Sequence, residues 1–255
     1  MYRLGFVGTG AITSAIVRGI KASQLKEWPV LLSPRSADIS AELARSMPGV
    51  RVSQSNQGVV DESDIVFFAI RPQIAEDVIT PLRFKPSQRI ISLVAALDIE
   101  TVRNWTGVES VVRAIPLTFV ERCRGVTPVF PANDEAAIIF QELGGCIQVS
   151  DIHVFDAYAA AGALMSTYFG IIETAREWLA GQGLPSEDAT LYLRNLFGSL
   201  GDVLREKPLA LSELQEAHAT RGGLNELANS TFVASGGKVA LCDGLSAVLA
   251  RIHGE

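Results

Sequence analysis

Short apolar runs alternate with amphipathic segments along the first 151 residues of the chain. The runs are rich in β-branched and aromatic residues, which favours β-strands. The predicted strands are Leu4–Val7, Val30–Leu32, Ile65–Ile70, Ile90–Ala95 and Ser110–Arg113, joined by Val126–Phe130 and Cys146–Val149. Apolar residues at helical spacing predict helices over Ala11–Ala22 and Ala37–Arg45. Strand and helix in repetition predict crossover units and a parallel sheet covered on both faces.

The pattern changes after Asp151, where strand-like runs stop. Long segments rich in alanine and leucine predict helices over Phe155–Ala180, Ser186–Arg205, Leu209–Ala219, Ala228–Ser235 and Ala240–Ile252. We therefore expect an α/β domain over residues 1–151 and an all-helical domain over residues 152–255. Many of these helices are apolar around most of their circumference, so the sequence predicts at least a homodimer whose interface is drawn mainly from residues 155–255.

Composition and charge narrow the class of protein. The 255 residues are 48% hydrophobic and 20% charged, which is typical of a globular fold. The formal net charge of -6 disfavours a nucleic-acid binder. Cys123, Cys146 and Cys242 are widely spaced, so we expect neither a disulfide framework nor a metal site. Since no targeting segment opens the chain and the uncharged stretch 157–172 is shorter than the ~20 residues of a membrane span, we expect a cytoplasmic protein.

A glycine turn follows the first predicted strand and opens the first predicted helix. Gly8 permits a tight turn, and Gly10 permits close approach of a pyrophosphate to the backbone. Thr9, Ala11 and Ile12 complete the segment, in which the helix start supplies N–H donors. The pattern predicts a Rossmann-like dinucleotide site; the alternative is an ordinary strand-to-helix turn. Thr13 stands where glycine or alanine is usual, and we expect it to weaken the packing of helix on strand.

The residues after the second strand bear on the choice of dinucleotide. An acidic residue there would bind the ribose hydroxyls of NAD, but the chain has Ser33, Arg35 and Ser36 instead. Two hydroxyls and a guanidinium match a 2′-phosphate, so we expect NADP(H) with NADPH preferred over NADH. In the alternative interpretation, Ser36 caps the next helix and Arg35 is solvated.

Several segments, in matching order over nearly the whole chain, resemble the pyrroline-5-carboxylate reductase family. They are Gly5–Gly10, Asp64–Gln73, Ile91–Ala96, Val111–Pro116 and Thr220–Gly223. The resemblance implies NADPH-dependent reduction of a cyclic imine by a Rossmann-like domain and a helical domain that dimerises and completes the active site. It also implies that Asn56 lies by the adenosine ribose. Ala69, Arg71 and Pro72 would pass along the nicotinamide half, with Arg71 where the family usually has lysine.

The resemblance places the Thr220–Asn225 segment against the substrate. Asn225 stands at the position of a family hydroxyl that donates to the imine nitrogen, and its amide can still donate a hydrogen bond. Thr220 and His218 are further candidates for this donor. Glu226 is either a group that orients Asn225, an acid, or a solvated carboxylate at a helix start.

Two segments of the chain depart from the family near the substrate. The family's Met-Pro-Asn-Thr-Pro turn is Ile115–Phe119 here, and its Ser-Gly-Ser-Gly-Pro-Ala-Tyr segment is Ala159–Met165. We expect Leu117, Phe119, Ala161 and Ala163 to make the substrate pocket apolar and turnover of pyrroline-5-carboxylate slow or absent, because a buried unpaired carboxylate costs several kcal/mol. Three functions therefore stay open: reduction of pyrroline-5-carboxylate, reduction of a more apolar imine or carbonyl, and non-catalytic NADP binding by a dimer.

Overall fold

The computed structural model describes residues 1–255 as two compact units. The first unit contains Met1–Ala159 together with Ile252–Glu255, and the second contains Ala160–Arg251. An α/β first part and an all-helical second part confirm the expected fold class.

The first unit is built on one eight-stranded sheet with the order β3-β2-β1-β4-β5-β6-β7-β8. Its strands are β1 Leu4–Val7, β2 Val30–Leu32, β3 Val50–Val52, β4 Ile65–Phe68, β5 Arg89–Ser92, β6 Val111–Ala114, β7 Thr127–Phe130 and β8 Cys146–Gln148. The strands β1 to β6 are parallel. The expectation of a wholly parallel sheet is wrong at the far edge, where β7 is antiparallel to β6 and β8 is parallel to β7.

Helices cover both faces of this sheet. They are α1 Ala11–Ala22, α2 Ala37–Ser46, α3 Asn56–Glu62, α4 Ala75–Ile79, α5 Ile99–Thr106, α6 Asp134–Glu142 and α7 Ile152–Gly162. Alternate residues of β4 serve two separate cores: Phe67 packs in one cluster with α1 and α6, and Phe68 packs in the other with α3 and α5. The continuous apolar runs in the sequence therefore reflect burial on both faces.

Strand β3 was not expected from the sequence. It has three residues, of which only Val50 is buried while Arg51 and Val52 are exposed at the sheet edge. An edge strand this short carries too little apolar pattern to be distinguished from a polar loop.

Helix α7 carries the chain out of the first unit. Phe155 is fully buried, its ring lies 5.8 Å from that of Phe130, and the Arg113 guanidinium lies 4.9 Å from its centre. The Nε2 atom of His253, near the chain end, lies 3.4 Å from the Asp156 carboxylate. These contacts explain why the division into units falls within α7, later than the predicted boundary at residue 151, and why Ile252–Glu255 belong to the first unit.

The second unit is entirely helical. Its helices are α8 Leu164–Gly181, α9 Ser186–Glu206, α10 Leu211–Ala217, α11 Leu224–Ala234 and α12 Gly237–His253, the last of which ends in the first unit. The single helix predicted over Phe155–Ala180 is wrong. The helix is interrupted at Ala163, whose N–H donates a hydrogen bond to the Ala160 carbonyl three residues earlier, so two helices form instead of one.

Few side chains of the second unit are buried within it. Its buried apolar residues are Ala160, Ala189, Leu193 and Leu214. Large apolar side chains lie exposed instead, including Phe169 at 66% and Trp178 at 64%. No single helix is long and apolar enough to span a membrane; α11 and α12 reach that length only together, with a bend of 55° between them.

Candidate active site

The order of the strands reverses at β1, which lies between β2 and β4. In open α/β sheets, ligands bind beyond the carboxyl ends of the strands at such a switch point. The glycine turn, the Ser33–Ser36 loop and the Ala69–Pro72 segment follow β1, β2 and β4 at this edge. The residues expected to hold a dinucleotide in the first unit thus leave adjacent strands.

The two glycines of the turn are required for different reasons. Gly8 has φ +102°, and a Cβ atom there would lie 2.3 Å from the Ala69 carbonyl oxygen, so both conformation and space require glycine. Gly10 has an ordinary extended backbone, and a Cβ atom there would meet nothing within 4 Å. The missing Gly10 side chain therefore leaves open space above the start of α1, where no side chain caps the helix. Free first-turn N–H groups beside an open space fit a pyrophosphate.

Thr13 is the residue expected to weaken the packing of the helix on the strand. Its side chain is fully buried, and its Oγ1 donates a hydrogen bond of 2.8 Å to the Gly8 carbonyl. The hydroxyl thus closes the turn from the helix side.

Ser33 was expected to bind a 2′-phosphate, and the structure gives it a different place. Its side chain is fully buried, and its Oγ accepts a hydrogen bond of 3.0 Å from the Gly8 N–H. The hydroxyl also lies 3.2 Å from that of Thr9. The expectation was wrong because the residue type was right for phosphate but the side chain turns inward.

Arg35 and Ser36 remain exposed beyond the end of β2. Ser36 has φ +63° and precedes α2, but its hydroxyl does not cap that helix. The structure therefore offers one guanidinium and one hydroxyl for a 2′-phosphate.

The other predicted cofactor contacts follow β3 and β4. Asn56 is half-buried as the first residue of α3, which is capped by the Ser55 hydroxyl on the Gly58 N–H at 3.0 Å. Strand β4 ends at Phe68, two residues before the predicted end. Ala69 then packs against the glycine turn, donating its N–H to the Val7 carbonyl at 2.9 Å. Arg71 and Pro72 are exposed.

The Ile115–Phe119 segment leaves β6 and enters a 3₁₀ helix over Thr118–Arg122. Leu117 is half-buried, and the Phe119 ring is 53% exposed. In the second unit, Ala161 and Ala163 are exposed beside the break between α7 and α8. These four residues are the ones expected to line an apolar substrate pocket.

Asn225 lies in a helix, because α11 begins at Leu224 and not at Ala228 as predicted. The Asn225 Nδ2 donates a hydrogen bond of 2.7 Å to the His218 carbonyl, and the Glu226 carboxylate accepts one from the Gly222 N–H. Glu226 therefore closes the glycine turn before α11 and does not orient Asn225. Thr220 is exposed, and its carbonyl accepts the Gly223 N–H at 2.8 Å.

The His218 ring lies at the end of α10, with Nδ1 2.8 Å from the Leu214 carbonyl oxygen. Because a carbonyl only accepts hydrogen bonds, Nδ1 carries the proton in this contact. Only Nε2 of His218 is left to contact a ligand.

A buried ion pair near β6 was missed in the sequence. Arg113 and Asp156 are almost fully buried, with Nη1 and Oδ1 3.6 Å apart. Burial lowers the pKa of Arg113, and the charge of Asp156 opposes that shift. A charged residue inside the apolar Val111–Ala114 strand was the available signal, but its partner lies too far along the chain to be paired by pattern.

Comparison with known proteins assigns the chain to a family. Residues 3–96 match the family model described as NADP oxidoreductase, coenzyme F420-dependent. The chain is 31% identical over 246 residues to a pyrroline-5-carboxylate reductase of Glycine max, covering 91% of this chain and 89% of that protein. The chain belongs to the pyrroline-5-carboxylate reductase family.

Solved structures of pyrroline-5-carboxylate reductases share the fold. The Streptococcus pyogenes enzyme superposes with a TM-score of 0.83 at 19% identity, covering 100% of this chain and 99% of that one. The Plasmodium falciparum enzyme, solved with NADP bound, gives 0.79 at 19% identity and covers 98% and 97%. The Rossmann-like unit and the helical unit of this family member are therefore those of the family.

Proposed function

We propose that this protein reduces the C=N bond of 1-pyrroline-5-carboxylate, yielding proline, with NADPH as the reductant. The observation that carries the proposal is the match to the Glycine max reductase over nine-tenths of the chain. A Rossmann-like fold alone hosts many reactions, whereas a match that also spans the helical unit includes the segments that meet the substrate in this family.

The proposed cofactor contacts come from the first unit. The first-turn N–H groups of α1, from Ala11 and Ile12 onward, bind the pyrophosphate in the space left by Gly10. Arg35 and Ser36 bind the 2′-phosphate, which favours NADPH over NADH. Asn56 contacts the adenosine ribose, and the Ala69–Pro72 segment lines the nicotinamide half. When bound, NADPH supplies a hydride to the imine carbon.

The chain's own contribution to the chemistry is to hold the imine nitrogen by hydrogen bonds. A primary amide has two N–H groups, and Asn225 uses one of them on the His218 carbonyl. Since the imine nitrogen has one lone pair, we assign to it the second N–H of Asn225, with the Thr220 hydroxyl as the alternative donor. The bond to His218 fixes the orientation of the amide. An amide is a poor proton source, so with Asn225 as the donor the protonation step is slow compared with donation by the Thr220 hydroxyl.

We further propose that the protein is a homodimer formed through the helical unit. A groove of about 670 Å³ between α8 and α9 has an apolar part that includes Tyr168, Ile172, Leu193 and Phe197, and its charged lining residues are Glu173, Arg176 and Arg194. With only four buried apolar residues of its own, this unit is completed by a second copy of the chain. We also propose a reducing location, the cytoplasm, which agrees with three free cysteines.

A second candidate is reduction of a less polar imine. The exposed Phe119 and Leu117 stand where the family has proline and asparagine, and the change at Leu117 removes an amide from a segment that meets the substrate. Such a pocket favours a substrate without a carboxylate.

An NADPH-oxidation assay with pyrroline-5-carboxylate and a panel of apolar cyclic imines separates the candidates. We expect measurable reduction of pyrroline-5-carboxylate with NADPH. Higher kcat/KM on an imine without a carboxylate supports the second candidate. No turnover on any imine, with NADPH binding retained in calorimetry, identifies a non-catalytic NADP-binding protein.

A further inference from the structure

We propose that Thr9 and Ser33 are positioning residues for the cofactor, a buried hydroxyl pair that aims the glycine turn at the pyrophosphate. The inference rests on the proposed binding of NADPH. In this arrangement Ser33 contacts neither the pyrophosphate nor the 2′-phosphate directly, in contrast to its expected contact with the 2′-phosphate.

The pair lies directly behind the glycine turn. Thr9 and Ser33 are 2% and 0% exposed. Thr9 Oγ1 donates to the Ser33 carbonyl at 3.1 Å and lies 3.2 Å from Ser33 Oγ. No ligand can reach these hydroxyls without opening the turn, so any effect on the cofactor is transmitted through the backbone.

Side-chain hydroxyls bind both polar groups of Gly8. Its N–H donates to Ser33 Oγ at 3.0 Å, and its carbonyl accepts from Thr13 Oγ1 at 2.8 Å. These two bonds hold a residue with φ +102°, a conformation that the turn needs and that few alternatives supply. Since the Gly8 N–H is committed to Ser33, the phosphate donors are the later N–H groups at the start of α1.

The same serine ties the turn to the loop that carries Arg35. The Ser33 N–H donates to the Phe6 carbonyl at 3.0 Å, and its carbonyl receives the Thr9 hydroxyl. Ser33 is therefore bonded to β1 and the glycine turn through its backbone and side chain. Loss of the Ser33 hydroxyl leaves the Gly8 N–H without its acceptor in a buried place, and the turn then moves to find another.

This geometry makes a prediction that distinguishes positioning from direct contact. The pyrophosphate is common to NADPH and NADH, so a displaced turn weakens both coenzymes by the same factor. A residue that touches the 2′-phosphate weakens NADPH alone.

The test measures the Kd of NADPH and of NADH by fluorescence titration for the wild type and four variants. We expect Ser33→Ala and Thr9→Val to weaken both coenzymes about tenfold with the NADPH/NADH ratio unchanged, since tenfold corresponds to one lost hydrogen bond of ~1.4 kcal/mol. Thr9→Ser keeps the hydroxyl and retains wild-type affinity. Arg35→Ala is the contrasting control and weakens NADPH alone.

Each remaining outcome is decisive. Selective weakening of NADPH in Ser33→Ala overturns the proposal in favour of direct phosphate contact. Unchanged affinities in Ser33→Ala and Thr9→Val, with only a lower unfolding midpoint, show a merely structural role and also overturn it. If Ser33→Ala fails to fold, the Thr9→Val and Thr9→Ser pair decides. A wild type that binds neither coenzyme overturns the proposed function as well, so the two failures are distinguishable.

Discussion

Gly19 on α1 lies so close to Val120 that a Cβ atom at Gly19 would come within 2.2 Å of the Val120 carbonyl oxygen. The Cys123 thiol adds a weak hydrogen bond of 3.5 Å to the Gly19 carbonyl. The helix whose start is proposed to bind the pyrophosphate is thereby fixed against the 3₁₀ helix that follows the Ile115–Phe119 segment. Two parts of the proposed site in the first unit thus share one backbone contact.

Replacing Gly19 tests this contact. Because the obstructing atom belongs to the backbone and cannot rotate away, we expect Gly19→Ala to lower the free energy of unfolding by ~1–3 kcal/mol, the usual cost of overpacking. Urea denaturation followed by circular dichroism measures the change. A variant as stable as the wild type would show that α1 and the 3₁₀ helix separate easily.

A glycine-to-alanine substitution at Gly10 should leave the stability unchanged and weaken NADPH binding. A methyl group there meets open space and an allowed backbone, so we expect Gly10→Ala to unfold like the wild type. The methyl occupies the space proposed for the pyrophosphate, and NADPH affinity falls tenfold or more, at least ~1.4 kcal/mol. Calorimetric titration of both glycine variants separates stability from binding, and tight NADPH binding by Gly10→Ala would contradict the proposed pyrophosphate position.

We expect the preference for NADPH over NADH to depend on Arg35. We expect wild-type protein to bind NADPH more tightly than NADH, and Arg35→Ala to erode the difference by ~1–3 kcal/mol because charged hydrogen bonds to the 2′-phosphate are lost. Arg45→Ala, at an exposed arginine near the end of helix α2, which follows Arg35, is the matched control and leaves the preference unchanged. Equal affinities of the wild type for the two coenzymes would refute the prediction.

Acid should remove the stabilisation from one ion pair. The Arg3 guanidinium donates to Asp64 at 2.7 Å and 3.2 Å, and these hydrogen bonds hold the pKa of Asp64 below its ordinary value. A depressed folded-state pKa means that the contribution is complete above the unfolded value of about 4 and disappears as the pH falls through the folded value.

We therefore expect Asp64→Asn to destabilise the protein at pH 7 by at most about 1 kcal/mol, since the pair is partly exposed. The difference from the wild type should shrink as the pH falls below about 4 and vanish once the pH is below the lower folded-state pKa of Asp64. Urea titrations across this range measure it, and Arg3→Ala should lose the same pH-dependent part. A difference that stays constant with pH would show that Asp64 acts through its shape and not its charge.

Self-association should depend on the apolar surface of the helical unit. Phe169 on α8 is 66% exposed in the single chain, and we expect Phe169→Asp to convert a wild-type dimer into a monomer at micromolar concentration. Ile138→Asp places the same charge at an exposed apolar residue of α6 in the first unit and should leave the dimer intact. Sedimentation velocity measures both, and a stable wild-type monomer would leave the exposed helices unexplained.

The sequence predicted the features that depend on neighbouring residues. Gly8 and Gly10 were recognisable because a strand precedes them and a helix follows, and that local context was confirmed. Whether a strand runs parallel or antiparallel to its neighbour could not be predicted from the sequence. The apolar run at β7 has the composition of a strand, but nothing in it distinguishes antiparallel from parallel pairing.

Side-chain direction and distant partners were also beyond the sequence. Ser33 has the residue type of a phosphate ligand, and only the packed turn shows that its hydroxyl faces Gly8. The predicted helix over Ala228–Ser235 excludes Asn225, whereas α11 begins at Leu224 and the Glu226 carboxylate closes the turn before it. Arg113 pairs with Asp156, and the two residues are too far apart in sequence for the hydrophobic pattern to predict their contact.

The assignment of Ile252–Glu255 to the first unit has a consequence for synthesis on the ribosome. All eight strands have been made once Gln148 is added, yet the histidine that faces Asp156 is made only after the whole helical unit. Since the amino-terminal end of a chain is synthesised first, the contacts of the first unit are complete only after His253 has been added. A nascent chain stalled before Ile252 carries a full sheet with the Asp156 carboxylate still lacking its histidine.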